Sequence, residues 1–401
     1  MNRRAVITGM GVVSCLGHDL DAFWQGLIEN RSGIDTIDRF DPDGLRNERA
    51  GQVRNFDFQP ADFGLDAAPD LATQFLLVAA REALGRADIA PCGERDPAFG
   101  AVYATNFGGS NAWEEYVAGL LEGEVRPGSF QEFAFGRAAA HACEAFGIGG
   151  PCTLLSVACA SGAAAIGAAV DMIRVGEAEA VLVGCHDALA PTPLSGLSVL
   201  RTMTDEMIRP FSADRSGTLF GEGGAALVIE ELGRARERGA DIGCEVLGWA
   251  ENNNAYHITA PDQGGAGMTR VVREAIEDAG VDPATIDYVN AHGTGTQPHD
   301  PAEVQAIKAV LGERAWEIPV SSIKGAVGHM MGAAGAAEAI ATAMAITEGI
   351  VPPTLNYREP DPECDLDHVP NESRPAEVSR AISISAGIGG NNACVVLGAV
   401  S

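Results

Sequence analysis

Ser156-Val157-Ala158-Cys159-Ala160-Ser161-Gly162 is an apolar run that ends on a cysteine and turns at once into a helical pattern. Ala163, Ile166, Val170 and Ile173 follow at helical spacing. A thiol at a helix start lies near the positive end of the helix dipole and beside unpaired backbone N–H groups. Both favour the thiolate, the form that attacks carbonyl carbon. Small residues on either side leave the sulfur reachable. A buried structural thiol has the same local signature, since free cysteine is among the most buried residue types. The stretch therefore needs company before it means chemistry.

Two segments supply it. Asn290-Ala291-His292-Gly293-Thr294-Gly295-Thr296 places a histidine in a small-residue turn after the apolar run Ile286-Asp287-Tyr288-Val289. Ser321-Ser322-Ile323-Lys324-Gly325-Ala326-Val327-Gly328-His329 places another just before a helical run from Met330 to Ile346. The cysteine and both histidines lie where apolar runs meet glycine-rich turns, as catalytic groups on a rigid scaffold often do.

Composition sets limits. The chain has 401 residues, 46% hydrophobic and 20% charged, enough for a large core and two domains. Short apolar strands (4–8, 99–105, 180–184, 225–230, 286–290 and 393–397 among them) alternate with Ala-rich helices, which predicts α/β layers. Nine cysteines without CxxC pairs or a secretory leader point to reduced thiols and a cytoplasmic protein. Residues 325–350 are apolar enough to resemble a membrane span, but His329, Glu338 and Glu348 interrupt them, which favours a buried core helix over membrane insertion. Gly9-Met10-Gly11-Val12-Val13-Ser14 half-resembles a dinucleotide fingerprint; without the third glycine it reads as a tight strand-to-loop turn. His292 with His299 or His329 lacks compact metal-ligand spacing, so no catalytic metal is expected. Nothing suggests a nucleic-acid partner, a long linker or a short-period repeat.

Taken together, these segments resemble the β-ketoacyl-acyl carrier protein synthases of the decarboxylating Cys-His-His type. The resemblance runs nearly end to end, through Arg4 to Ser14, Arg209-Pro210-Phe211, Gly221-Glu222-Gly223, Ala255 to Pro261 and Gly387-Ile388-Gly389-Gly390-Asn391-Asn392-Ala393. It implies the thiolase fold, a five-layer αβαβα sandwich of two similar halves, residues 1–234 with the nucleophile and 235–401 with the histidines, joined near Arg234 to Gly239. It implies that Cys159 takes an acyl group from acyl carrier protein as a thioester. A malonyl thioester then loses carbon dioxide, and the resulting carbanion attacks the acyl-enzyme. His292 and His329, as neutral imidazoles, would hold the enolate oxygen. Backbone N–H groups of Cys159 and Ile388 would form the oxyanion hole. Thr294 and Thr296 would bind the phosphopantetheine arm, Lys324 would support the histidines, and Asp300, Glu303 and Glu338 would hold Lys324 and the loops. No prosthetic group is implied. The partners implied are acyl carrier protein and a second subunit, in a homodimer or a heterodimer with a chain-length partner. A non-catalytic chain-length subunit and a thiolase-like acyl-CoA acyltransferase are the alternatives. The intact Cys159, His292 and His329 oppose the first, and the histidine pattern with Lys324 opposes the second.

Several residues set the chain apart. Only Lys308 and Lys324 are lysines among 27 basic residues, so lysine at 324 points to a need for a compact ammonium. Ala386 and Ile388 stand where related extenders carry phenylalanine, which predicts altered gating and a wider entrance. Asn391 replaces a threonine. Phe107 matches a position on the acyl pocket and could shorten it, which together suggests a specialised acyl or polyene substrate. The net charge of −28 opposes encounter with an acidic carrier protein. The 62–70 stretch is itself acidic, leaving Arg46, Arg49, Arg54, Arg201 and Arg209 as candidates for a docking patch, unless a salty cytoplasm screens the repulsion.

Overall fold

The structure is a computed structural model, and it describes residues 3–90 and 95–400. Ten strands form its main sheet: β1 (Ala5–Val13), β2 (Phe99–Ala104), β3 (Cys152–Leu155), β4 (Ala180–Asp187), β5 (Gly223–Glu231), β6 (Cys244–Asn253), β7 (Tyr288–Asn290), β8 (Val320–Ser321), β9 (Arg380–Gly387) and β10 (Asn391–Gly398). Their order is β8-β7-β9-β10-β6-β1-β5-β4-β2-β3. From the β1–β6 seam outward, each half runs antiparallel, antiparallel, parallel, parallel. The duplication that hydropathy periodicity hides is therefore explicit in the strand pairing. The seam is short: Ala5, Val6 and Ile7 face Val246, Glu245 and Cys244.

Helices complete five layers. On one outer face α1 (Leu71–Arg86) covers β1, β5 and β4. On the other, α4 (Ala266–Ala279) covers β6 and β10, with α5 (His299–Leu311) against it. Between the half-sheets lie α3 (Ser161–Val175) and α6 (Ala334–Glu348), which touch strands of both. Alanine dominates these two helices for a physical reason: it is the best helix former and is small enough to fit between two sheets. At their amino ends the helices meet through glycines. A Cβ on Gly162 would stand 2.5 Å from Ala336 N, and one on Gly335 would stand 2.6 Å from Ala163 N.

Three expectations change. Gly9 and Gly11 make no turn; both lie inside β1, where a Cβ would reach the α1 carbonyls of Ala83 and Ala79 at 2.0 and 2.1 Å. They are small so that the helix can press onto the strand. Residues 325–350 are not one continuous helix but divide into a short helix Lys324–Val327, a 3₁₀ turn Met331–Ala333, α6 and a strand. The segment long and apolar enough to cross a membrane is instead 158–175, and 67% of it is buried inside the protein. Arg209 is buried against Glu206, so it cannot serve a surface docking patch, whereas Arg46, Arg49 and Arg201 are exposed.

One core residue couples the fold to pH. His186, in β4, is buried with neither ring nitrogen hydrogen-bonded, and burial pushes its imidazole down to about 4. The unfolded chain protonates near the ordinary value and the folded chain does not. Stability from this residue is thus full above about pH 6.5 and falls as the pH drops toward 4. His186→Leu should remove up to about 3 kcal/mol of the acid-dependent loss. Urea unfolding at pH 7.5 and pH 4.5 checks it; equal pH sensitivity in both proteins refutes it.

Candidate active site

The nucleophile position is built on a sharp turn. Ala158 has a φ of 55°, the left-handed region that costs an alanine about 1–2 kcal/mol. Ser161 Oγ holds the turn, accepting from Val157 N at 2.8 Å and donating to the Ala158 carbonyl at 2.6 Å. Cys159 follows, two residues ahead of α3, with its thiol almost buried. Gly387, at the end of β9, packs on this turn so closely that a Cβ would stand 2.9 Å from Cys159 N. The next residue, Ile388, directs its N–H at the Cys159 sulfur.

The histidines arrive from the other half. His292 leaves β7 in a loop gripped by Glu303, whose carboxylate oxygens accept from the N–H groups of His292 and Gly293 at 2.6 and 2.8 Å. Asp300 holds the neighbouring turn, accepting from Phe211 N at 2.7 Å and Gly295 N at 3.1 Å. His329 is stitched to the 219–221 segment by His329 N–Leu219 O and Gly221 N–His329 O bonds of 2.8 and 2.9 Å. The two imidazoles meet edge to face, centroids 5.4 Å apart.

Hydrogen bonds settle their tautomers. Lys324 Nζ donates to His292 Nδ1 at 3.3 Å and to the His292 carbonyl at 2.6 Å, and pairs with Glu338. Met331 N donates to His329 Nδ1 at 3.3 Å. Each Nδ1 accepts, so each proton sits on Nε2. His329 Nε2 is buried without a partner among the described residues, a donor held ready. Burial, with the Lys324 charge beside them, holds both imidazoles well below their ordinary pKa, hence neutral. Burial also pushes the Cys159 thiol up to about 11, although Lys324 and the Ile388 N–H pull it down. The helix end does not make a standing thiolate here: desolvation wins, and the resting sulfur keeps its proton.

Cys159, His292, His329, Thr294, Thr296 and Ile388 line one cavity of about 50 Å³. Lys324, Glu338, Asp300 and Glu303 stand behind it, buried. Phe107 is not on its wall; it packs in the apolar cluster that Ile388 and Phe220 share with Met331. Ala386 lines this cavity and also a neighbouring one of about 20 Å³, walled by His299, Met268 and Asn254. A much larger cleft, about 830 Å³ and lined by Asp66, Asp70, Glu115 and Glu132, holds neither the cysteine nor the two histidines. Sequence reasoning missed Asp187. Its carboxylate accepts from Thr105 Oγ1 (2.7 Å), Phe107 N (2.9 Å) and Gly332 N (2.7 Å), binding the strand ends to the loop after His329. The only signal was an acid closing an apolar strand. Thr202, also on the cavity wall, carried no signal; Thr259 lay inside the Ala255–Pro261 motif without an assigned role, and His299 was weighed only as a metal ligand.

This is the thiolase fold, with a cysteine from one half facing two histidines from the other. Sequence models of the β-ketoacyl synthase N-terminal and C-terminal domains match residues 2–235 and 243–358. A putative polyketide β-ketoacyl synthase 1 of Streptomyces halstedii is 40% identical over 417 residues, covering 99% of this chain and 98% of the relative. A 3-oxoacyl-[acyl-carrier-protein] synthase 2 of Synechocystis is 40% identical over 402 residues, 97% of this chain and 96% of its own. Among solved structures, the ishigamide ketosynthase/chain length factor superposes with a TM-score of 0.93 at 35% identity over the whole of both chains. The chain belongs to the β-ketoacyl synthase family of condensing acyltransferases.

A protonated resting thiol has a measurable signature. Alkylation of Cys159 by iodoacetamide, followed at that peptide by mass spectrometry, should climb with pH through 9 to 10, because the thiolate fraction still rises there. A rate that levels off near pH 7 would show a standing thiolate instead.

Proposed function

We propose that this chain performs decarboxylative condensation on carrier-borne thioesters, and that the convergence of Cys159, His292 and His329 on one cavity carries the reading. The Cys159 sulfur attacks the acyl thioester carbonyl, and the thiol's proton passes to the departing carrier sulfur. The carbonyl's oxyanion lies toward the N–H groups of Cys159 and Ile388, and the carrier thiol leaves with that proton. Malonyl thioester then enters along Thr294 and Thr296. Its carboxylate departs as carbon dioxide, and the electron pair left behind becomes an enolate. The Nε2–H groups of His292 and His329 hold the enolate oxygen, and no charged group needs to reorganise at that moment. The enolate carbon attacks the acyl-enzyme carbonyl, the C–S bond breaks, and Cys159 leaves as a thiolate that takes a proton from water to restore the resting thiol. Lys324 keeps His292 in the donating tautomer, while Glu338, Glu303 and Asp300 hold lysine and loops.

The two halves we take as residues 1–234 and 235–401, supported by the repeated strand pairing on either side of the seam. The carrier we propose is an acyl carrier protein, with its phosphopantetheine bringing the substrate and no resident cofactor. A second subunit, a copy of this chain or a chain-length partner, fits the open sheet edge at β3 and the exposed Leu120, Leu121, Val125 and Phe130 on and after α2 (Ser110–Glu122). Unpaired cysteines among the described residues support a cytoplasmic location.

Intact-protein mass spectrometry with acyl and malonyl carrier proteins tests the roles. Cys159→Ala should abolish acyl loading and condensation while the fold survives, since alanine fits the same space; loading on another cysteine would sink the assignment. His329→Ala should lower malonyl decarboxylation by roughly 100-fold or more while Cys159 still loads. Decarboxylation at the wild-type rate would remove His329 from the enolate.

Phe107, which packs in the apolar cluster with Ile388, carries a further expectation. Phe107→Ala should lengthen the accepted acyl chain by several carbons, each added methylene gaining about 0.8 kcal/mol when buried. Competition among acyl carrier proteins of graded length reads it out. An unchanged profile would make Phe107 ordinary core.

A further inference from the structure

His299 is a third imidazole on the wall of the cavity that holds Cys159, and it has no part in the chemistry above. It is the first residue of α5, and its ring borders both the 50 Å³ catalytic cavity and the 20 Å³ space beside Ala386. Its Nδ1 lies 3.0 Å from Thr296 Oγ1, which lies 3.2 Å from Thr294 Oγ1. Its Nε2 bonds to none of the described residues and is not sealed off. Burial pushes the ring down to about 4, and the positive end of α5 also disfavours a cation, so the imidazole is neutral at pH 7.

A neutral imidazole has one N–H and one lone pair. Where Nδ1 accepts the Thr296 hydroxyl proton, Nε2 carries the hydrogen, on a side chain that lines the cavity. Thr296 Oγ1 is then free to accept from Thr294 or from a ligand. The row therefore offers hydroxyl acceptors beside one ring donor, the complement of an amide's N–H and C=O. Ala386, opposite, is too small to block a ligand from the ring.

We propose that His299 is a recognition residue for the amide-bearing thiol arm of the substrate, orienting Thr296 through Nδ1 and donating Nε2–H to an amide carbonyl of the arm. This rests on the reading that a carrier-borne thioester occupies the cavity, and it adds a reason why an arm with amides is preferred over a bare thioester.

The test uses the full chain and three hexanoyl thioesters: of pantetheine with two amides, of N-acetylcysteamine with one, and of ethanethiol with none. Acylation of Cys159 is followed by intact mass in the wild type, His299→Phe and His299→Gln. In His299→Phe the KM for the pantetheine thioester should rise roughly five- to tenfold, as for loss of about one net hydrogen bond. Its maximal rate should stay within about twofold, and acylation by the ethyl thioester should not change. His299→Gln, which keeps a donor, should recover part of the loss. The same preference among thioesters in all three proteins would overturn the proposal. So would a His299→Phe protein that also loses the ethyl thioester reaction, since the residue would then be structural. Failure of the wild type to acylate with any thioester would overturn the functional reading itself, a distinct result.

Discussion

A single buried ion pair organises the chemistry. Lys324 and Glu338 are almost wholly shielded from water, and the ammonium divides its hydrogens among Glu338, the His292 carbonyl and His292 Nδ1. A buried pair of this kind adds little net stability, because desolvation consumes most of the attraction. Its value is electrostatic and directional. It keeps one histidine from protonating, it turns that histidine's hydrogen toward the cavity, and it lowers the thiol against the pull of burial. An apolar pair of equal volume would fill the space and do none of this.

A second constraint acts through backbone N–H groups. Asp187, Asp300 and Glu303 are buried carboxylates whose oxygens are taken up by peptide N–H groups of the loops around the cavity. Burial pushes these acids up, to about 6 for Asp187 and Asp300 and about 8 for Glu303, while the donors they accept pull them back. Each anchors a loop to a helix or strand end, so side chains on loops are held as firmly as side chains on the sheet. The strained turn at Ala158 sits inside the same clasp.

How much of this was legible in the sequence follows from what each kind of residue does. Strands that bury both faces, such as 180–187, show as apolar runs, and their layers were readable. β6 carries Glu245, Glu251, Asn252 and Asn253, which break the apolar pattern although the strand is central. β8 is two residues long, too short for any period. Cys159, His292 and His329 stood out because reactive side chains interrupt small-residue turns. Gly9 and Gly11 misled because a glycine chosen for a close helix looks the same, in sequence, as one chosen for a turn. Asp187 was silent because its importance lies in contacts across 80 to 145 residues, and His299 was weighed only as a metal ligand because the cavity it lines exists only after folding. The thiolate expected from local geometry gave way to burial, which no local pattern reports.

The glycine contact between α3 and α6 has a consequence for how the molecule can change. Gly162 belongs to the half that bears the sulfur and Gly335 to the half that bears the imidazoles, and each presses on the other's backbone. Neither half can acquire even a methyl group at this point without prying the two helices apart, and the sulfur-to-imidazole spacing would shift with them. The loops of one half hold the nucleophile and those of the other the donors. Along this contact the halves depend on each other: a change tolerable in either by itself becomes a lesion in the pair, far in sequence from the groups whose work it ends.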